Sequence, residues 1–312
     1  MFFTRRDFGR LALAAVPASL LAKPDSKWGG VQIGINVPYS YKGLPGTADD
    51  VLKFTTGLGL SAVELRSQPV EAFFGAPHSS RIGSARAKTD EEKAAQTVAA
   101  DELEKWRLAA PIAKFKEFRK KYEDAGIAIQ IVKFDGVDKM KDEVVDYAFE
   151  LAKALGAHAL SCEIPLSKTE WLGGFATKHK LMVGYHGHTN ITSPEAFAKP
   201  ESWEKAMTYS KYNGINLDLG HFTAANNTSP IPFLMKHADR ITHVHVKDRK
   251  LNNGPNVPFG QGDTPIKEVL QLMKKEKYKF QATIEFEYPV PEGSDVLHEI
   301  AKSVEYCRGC LV

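Results

Sequence analysis

The sequence has little cysteine, little net charge and few long apolar runs, and each shortage removes a class of protein. Three cysteines in 312 residues, Cys162, Cys307 and Cys310, are too few for a disulfide-built scaffold. Cys307-Arg308-Gly309-Cys310 is spaced to close one small disulfide in an oxidising compartment. It follows the last helical stretch instead of opening one after a strand, which argues against a thioredoxin-like redox centre. A formal net charge of +3, with no basic tract and no aromatic-basic interleaving, leaves no electrostatic footprint for nucleic acid. The apolar stretch Leu11 to Leu21 is too short to span a bilayer, so stable membrane insertion is not expected. No glycine fingerprint of the dinucleotide type follows the first strand, and no low-complexity segment is present. What remains is 43% hydrophobic and 25% charged, the balance of a soluble globular chain with room for one large domain or two small ones.

Thr4-Arg5-Arg6-Asp7-Phe8-Gly9-Arg10 precedes the run from Leu11, and Lys23-Pro24-Asp25-Ser26 breaks it. The arginine pair resembles a twin-arginine export signal, which is an address and not an anchor. Residues 1–26 are read as signal and leader, residues 27–312 as the folded domain, and the mature protein as exported, in the periplasm.

Beyond the leader the chain alternates. Strands are expected at Val31 to Val37, Ala62 to Arg66, Ala128 to Phe134, Ala157 to Ile164, Leu181 to His188, Gly214 to Leu219, Ile241 to Val246 and Ala282 to Glu287. Helices are expected at Thr47 to Leu58, Ile112 to Ala125, Lys139 to Leu155, Ser193 to Ala198 continuing towards Tyr209, Pro232 to Ala238, Pro265 to Lys274 and Ser294 to Cys307. Eight such units predict an α/β fold of one domain, a closed (β/α)8 TIM barrel. A long insertion follows strand 2, from Ser67 to Pro111, with a charged helical pattern from Thr89 to Arg107. It reads either as a lid over the mouth or as a packing surface in a homo-oligomer.

Four of the strands end in metal-ligand chemistry: Gly184-Tyr-His-Gly-His-Thr-Asn190, Asn216-Leu-Asp-Leu-Gly-His-Phe222, Ile241-Thr-His-Val-His-Val-Lys-Asp-Arg249 and Thr283-Ile-Glu-Phe-Glu-Tyr288. Strand alternation puts His243, His245 and Lys247 on one face and Val244 and Val246 on the other. In a barrel the polar face points inward, and so do His186 with His188 and Glu285 with Glu287. Asp218 ends its strand, and His221 is expected on the loop beyond it. Mixed imidazoles and carboxylates favour Mn2+, Co2+ or Zn2+ over Ca2+.

Taken in order, His-x-His, Leu-Asp-Leu-Gly-His, His-Val-His-Val-Lys-Asp and Ile-Glu-Phe-Glu resemble the xylose-isomerase-like barrel superfamily of sugar isomerases, epimerases and dehydratases. The resemblance implies a divalent metal held by Asp218, His245 and Glu285. Ketose epimerases of that group add a glutamate from the strand before the aspartate, where this chain offers His186 and His188. His188 is taken as the ligand and His186 as a neighbouring acid or base, with Glu163 as the substitute carboxylate. The chemistry implied is proton transfer beside a sugar carbonyl through an enediolate, with Glu285, Glu163 and His186 as proton carriers. Lys247 and His221 would hold or protonate substrate oxygens, and Arg249 and Glu287 stand at their edge. The same residues suit a keto-sugar lyase, dehydratase or hydratase acting on 3-keto-glycosides. A non-catalytic sugar-binding protein would instead keep Tyr39, Tyr41, Phe74 and Trp106 at the mouth.

Overall fold

The computed structural model describes residues 23–77 and 89–312. Among these residues eight strands run parallel: β1 (Val31–Val37), β2 (Ala62–Arg66), β3 (Ala128–Lys133), β4 (Ala159–Cys162), β5 (Met182–His186), β6 (Asn213–Asp218), β7 (Ile241–Val246) and β8 (Gln281–Ile284). Each pairs with the next, and β8 returns to β1 with Ala282 opposite Ile33 and Thr283 opposite Gly34. The sheet is therefore a closed (β/α)8 barrel, which leaves no barrel strand with an unpaired edge.

The strand period explains both layers. Ile33, Ile35, Val63, Leu65, Val183, Ile215, Leu217, Val244 and Val246 are completely buried under the helices. At alternate positions Asn36, Glu64, Ser161, His186, Asn216, Asp218, His243 and His245 are buried as well. Glu64 on β2 reaches His245 on β7 at 2.5 Å across the barrel, so this second set faces inward. Many of its members hydrogen-bond one another, as Asn216 does with Ser161 at 3.0 Å and His186 with His245 at 3.0 Å.

The outer layer comprises α1 (Ala48–Gly57), α2 (Ser67–Phe73), α3 (Asp90–Leu108), α4 (Phe115–Asp124), α5 (Asp142–Ala154), α6 (Thr169–His179), α7 (Pro200–Tyr209), α8 (Leu219–Asn226), α9 (Ile231–Lys236), α10 (Ile266–Glu276) and α11 (Val296–Leu311). Several elements differ from the sequence reading. Helix α6 was not foreseen, since its Gly173-Gly174 pair weakens the helical signal, yet Leu172 and Ala176 bury its inner face. Residues 193–198 form turns, and the helix there begins at Pro200. His221 lies in the first turn of α8 and not on a loop. Ser26, read as leader, is buried and donates from Oγ to the Ile33 carbonyl at 2.6 Å. Residues 1–22, with the arginine pair, lie outside the described residues.

The described part of the insertion joins the outer layer. Trp106 of α3 meets Tyr147 of α5 edge-on, and Arg107 donates to Glu71 of α2 at 2.8 Å in a buried pair. Glu104 of α3 also pairs with Lys141, at the start of α5. Cys307 and Cys310 lie within α11 and are unbonded, buried thiols, so the small disulfide does not form. Apolar surroundings raise both thiols above the ordinary range.

Candidate metal centre and active site

His245 sits at the bottom of the site. Its Nε2 is 2.5 Å from Glu64 Oε2, and a carboxylate can only accept, so the Nε2 proton is fixed there and Nδ1 turns to the centre. His186 ends β5 and is arranged in the same way with its nitrogens exchanged. Its Nδ1 is 3.1 Å from Glu163 Oε1, which leaves Nε2 facing His245 Nδ1 at 3.0 Å. Asp218 caps α8: Oδ1 accepts the His221 backbone N–H at 2.7 Å, and Oδ2 is left for the centre. Glu285, just past β8, accepts from Asn36 Nδ2 at 2.8 Å on Oε1, which aims Oε2 inward.

These four inward atoms are the candidate ligands. His186 Nε2, Asp218 Oδ2, His245 Nδ1 and Glu285 Oε2 belong to one buried group whose donors all lie within 4.8 Å of one another. Their separations include 3.0 Å between the imidazoles, 3.2 Å and 3.7 Å from His245 to Glu285 and Asp218, and 3.4 Å and 3.9 Å from His186 to Asp218 and Glu285. Four donors about 2.0–2.2 Å from one ion in a tetrahedron stand roughly 3.3–3.6 Å apart, so the set is the size of a small divalent cation site. Its chemistry fits too: with an ion bound each facing imidazole nitrogen would offer a lone pair, and each ring is fixed by a carboxylate behind it.

His188 does not join this group. It lies beyond the end of β5, exposed, with Nε2 3.1 Å from Glu163 Oε2. The sequence reading placed His188 in the ligand set and His186 beside it, and the structure exchanges them. β5 ends at His186, and the next residue, Gly187, lies so close to Trp203 that a Cβ there would stand 2.6 Å from its ring. His188 stays beside the site, its ring 4.7 Å from that of His186 and 5.0 Å from that of His221. Glu163 also differs from its expected part. It is shared by Lys133 at 2.5 Å and by both histidines, and so holds His186 in place. Glu163 is exposed, and Lys133 and the two histidines hold its carboxyl well below the carboxylate range.

Lys247 is completely buried on the open side of the centre. Its Nζ lies 2.5 Å from Glu285 Oε2, 2.7 Å from Glu287 Oε2 and 3.0 Å from Asp218 Oδ2. Burial works against the ammonium, yet the three carboxylates overcome it and raise the lysine well above its ordinary value. Lys247 lies so close to α8 that a Cβ on Gly220 would be 2.4 Å from its Cγ, which accounts for glycine in Leu-Gly-His. His221 is pushed down to about 3 chiefly by burial, despite Asp218, and is therefore neutral. Donors face both ring nitrogens, Arg249 on Nδ1 at 2.7 Å and the Lys247 ammonium on Nε2 at 3.0 Å, and Nε2 is 3.8 Å from Glu287. Arg249 and Glu287 do not pair: Arg249 is held by the Gly254 carbonyl at 2.6 Å, and Glu287 Oε1 accepts from Tyr39 at 2.5 Å.

Several of these partners went unnamed in the sequence reading: Asn36, Glu64, Lys133 and Asp248. Asp248 accepts backbone N–H groups of Gly260 and Gly262, both at 2.8 Å, and so pins the loop that carries Arg249. The signal that could have found Asn36, Glu64 and Lys133 is parity, a polar residue at an inward position of an otherwise apolar strand. Of the aromatic residues expected at a binding mouth, Tyr39 alone touches the centre's groups. Tyr41 is buried against Thr55, Phe74 packs on Phe115, and Trp106 lies on the outside.

Glu64→Gln is expected to weaken divalent-ion binding about 10- to 100-fold, because an amide can donate to His245 and release its tautomer. Titration calorimetry with Mn2+ on the folded variant checks this. Wild-type affinity would show that Glu64 has no hold on the site.

The geometry can now be set beside known proteins. Residues 175–310 match the model of the xylose isomerase-like TIM barrel family. All four candidate ligands and Lys247 fall in that span, whereas Glu64 and Glu163 lie before it. No curated protein matches the chain. Among solved structures, the barrel is similar to a xylose isomerase domain protein from Planctomyces limnophilus, with TM-score 0.58, 16% identity and coverage of 91% of this chain and 97% of the other. It is also similar to 3-keto-D-glucoside 4-epimerase from E. coli, at TM-score 0.61, 10% identity, 90% and 100% coverage. D-psicose 3-epimerase from Clostridium cellulolyticum H10 gives TM-score 0.61, 10% identity, 90% and 99% coverage. At these identities the likeness is one of fold.

Proposed function

We propose that this protein is a divalent-metal-dependent sugar isomerase or epimerase that moves a proton beside a carbonyl. The observation that carries the reading is the buried two-histidine, two-carboxylate set, each imidazole backed by its own carboxylate, with a lysine ammonium on its open side. Two of the similar structures are, by name, epimerases of a keto-glucoside and of a ketose, which supports a keto-sugar substrate. His186, Asp218, His245 and Glu285 would hold Mn2+, Co2+ or Zn2+, and the bound ion would supply polarisation of the carbonyl and stabilisation of the enediolate charge.

The chain's own residues do the rest. Glu285 is the proton carrier on one side, its carboxylate kept ionised against burial by His245 and Lys247. His221 and the Lys247 ammonium hold substrate oxygens on the open side. The exposed His188, its ring 5.0 Å from that of His221 and backed by Glu163, can deliver a proton there. That imidazole also favours a second reading: a keto-sugar lyase or hydratase, in which His188 protonates a departing β-oxygen where an epimerase would reprotonate carbon. Export by the Arg5-Arg6 signal remains part of the proposal.

Purified protein loaded with Mn2+ and incubated with keto-sugars in D2O should place deuterium on the carbon next to the carbonyl. Loss of a β-substituent in the same reaction would select the lyase reading, and no exchange with any keto-sugar or keto-glycoside would reject both.

A further inference from the structure

A groove of about 690 Å³ opens beside the mouth, between the segment that follows β1 and helix α2. Its apolar wall is made by Pro38, Tyr39, Leu44, Pro69, Ala72 and Phe73. Phe73 is 47% exposed at the lip, with Lys121 Nζ 5.6 Å from its ring centre. Most polar side chains of the wall have partners, though Gln68 Oε1 is buried without one. Thr47 caps α1 and bonds to Asp50, Asp49 pairs with Lys121 at 2.5 Å, and Gln68 donates to Asp135 at 3.0 Å. Lys42 lies over the Tyr39 ring, 5.5 Å from its centre. What the groove offers a ligand is apolar surface. Tyr39 joins it to the centre, since the residue lines the groove while its hydroxyl donates to Glu287, whose other oxygen is 2.7 Å from Lys247. A ligand held at the centre has this groove one tyrosine ring away.

We infer that the groove takes the aglycone of a glycosidic substrate, and that this aglycone is an aryl group. The inference rests on the keto-sugar reading above and narrows it from free ketoses to aryl keto-glycosides. A second sugar ring is the poorer occupant, because most of its hydroxyls would lose water against the apolar wall of Pro38, Leu44, Pro69, Ala72 and Phe73. An aryl ring loses nothing there and removes apolar surface, Phe73 included, from water.

The test compares solvent-deuterium exchange into methyl and phenyl 3-keto-glucosides and a 3-keto-disaccharide, with Mn2+ at saturation. The phenyl compound should show a KM about 10- to 100-fold below the methyl compound. Phe73→Ala and, separately, Leu44→Ser should remove most of that advantage and leave kcat/KM for the methyl compound unchanged, with melting curves confirming the fold. Equal KM for phenyl and methyl compounds overturns the aryl assignment, and so does a disaccharide preferred to both. If no compound exchanges, the keto-sugar reading fails, and the groove is then judged by binding alone. Calorimetric titration with phenyl and methyl β-glucosides should still favour the phenyl compound and lose that preference in Phe73→Ala; equal binding overturns the groove.

Discussion

His186→Ala is expected to leave the protein unable to retain a divalent ion, whereas His188→Ala retains it. The two histidines are two residues apart, but only His186 is 4% exposed with Nε2 among the other three donors. Removing it deletes one of four ligands and leaves only His245, Asp218 and Glu285, with Lys247 beside both carboxylates, so retention through dialysis should be lost. His188 is solvent-facing and touches Glu163, so its truncation should change bound metal little while it slows proton delivery. Metal content after dialysis against Mn2+ or Zn2+, with circular dichroism to confirm folding, reads both variants. Metal lost from His188→Ala and kept in His186→Ala would restore the assignment made on sequence alone.

Glu285→Gln should lower the rate of solvent-deuterium exchange by about 100- to 10,000-fold at saturating metal, roughly 3 to 5 kcal/mol of barrier. An amide keeps the size of the side chain and one oxygen. It puts an NH2 group either against Asn36 Nδ2, which now donates at 2.8 Å, or against the Lys247 ammonium 2.5 Å away. Metal affinity should fall as well, which is why the rate is compared at saturation. Glu287→Gln, one strand position on, faces Tyr39 and Lys247 instead of the four-donor set and should cost less. Near wild-type exchange in Glu285→Gln at high Mn2+ would remove Glu285 from the role of proton carrier.

How far the sequence could be read depended on which signal each residue obeyed. The barrel was legible because strand and helix periods alternate in the chain, and the inward direction of His243, His245 and Lys247 follows from a period of two. That same period could not separate His186 from His188, which share a parity. The separation came from where β5 stops, at His186, with Gly187 next in the chain and close to Trp203. Glu64 was invisible for a related reason. A single glutamate in Ala-Val-Glu-Leu-Arg looks like a residue on a wet strand face until its partner His245, 181 positions away, is known. Cys307 and Cys310 misled by spacing alone, since inside a continuous helix both thiols turn into the core.

The candidate ligands come from β5 to β8 or just beyond, but what orients them comes from the other half: Asn36 from β1, Glu64 from β2, and Glu163 from the segment after β4. During synthesis the orienting groups leave the ribosome first and wait as unpaired polar side chains. Glu285 is the last to emerge, and it meets Asn36 only when β8 zips onto β1. A nascent chain therefore lacks the complete four-donor set at any length short of barrel closure.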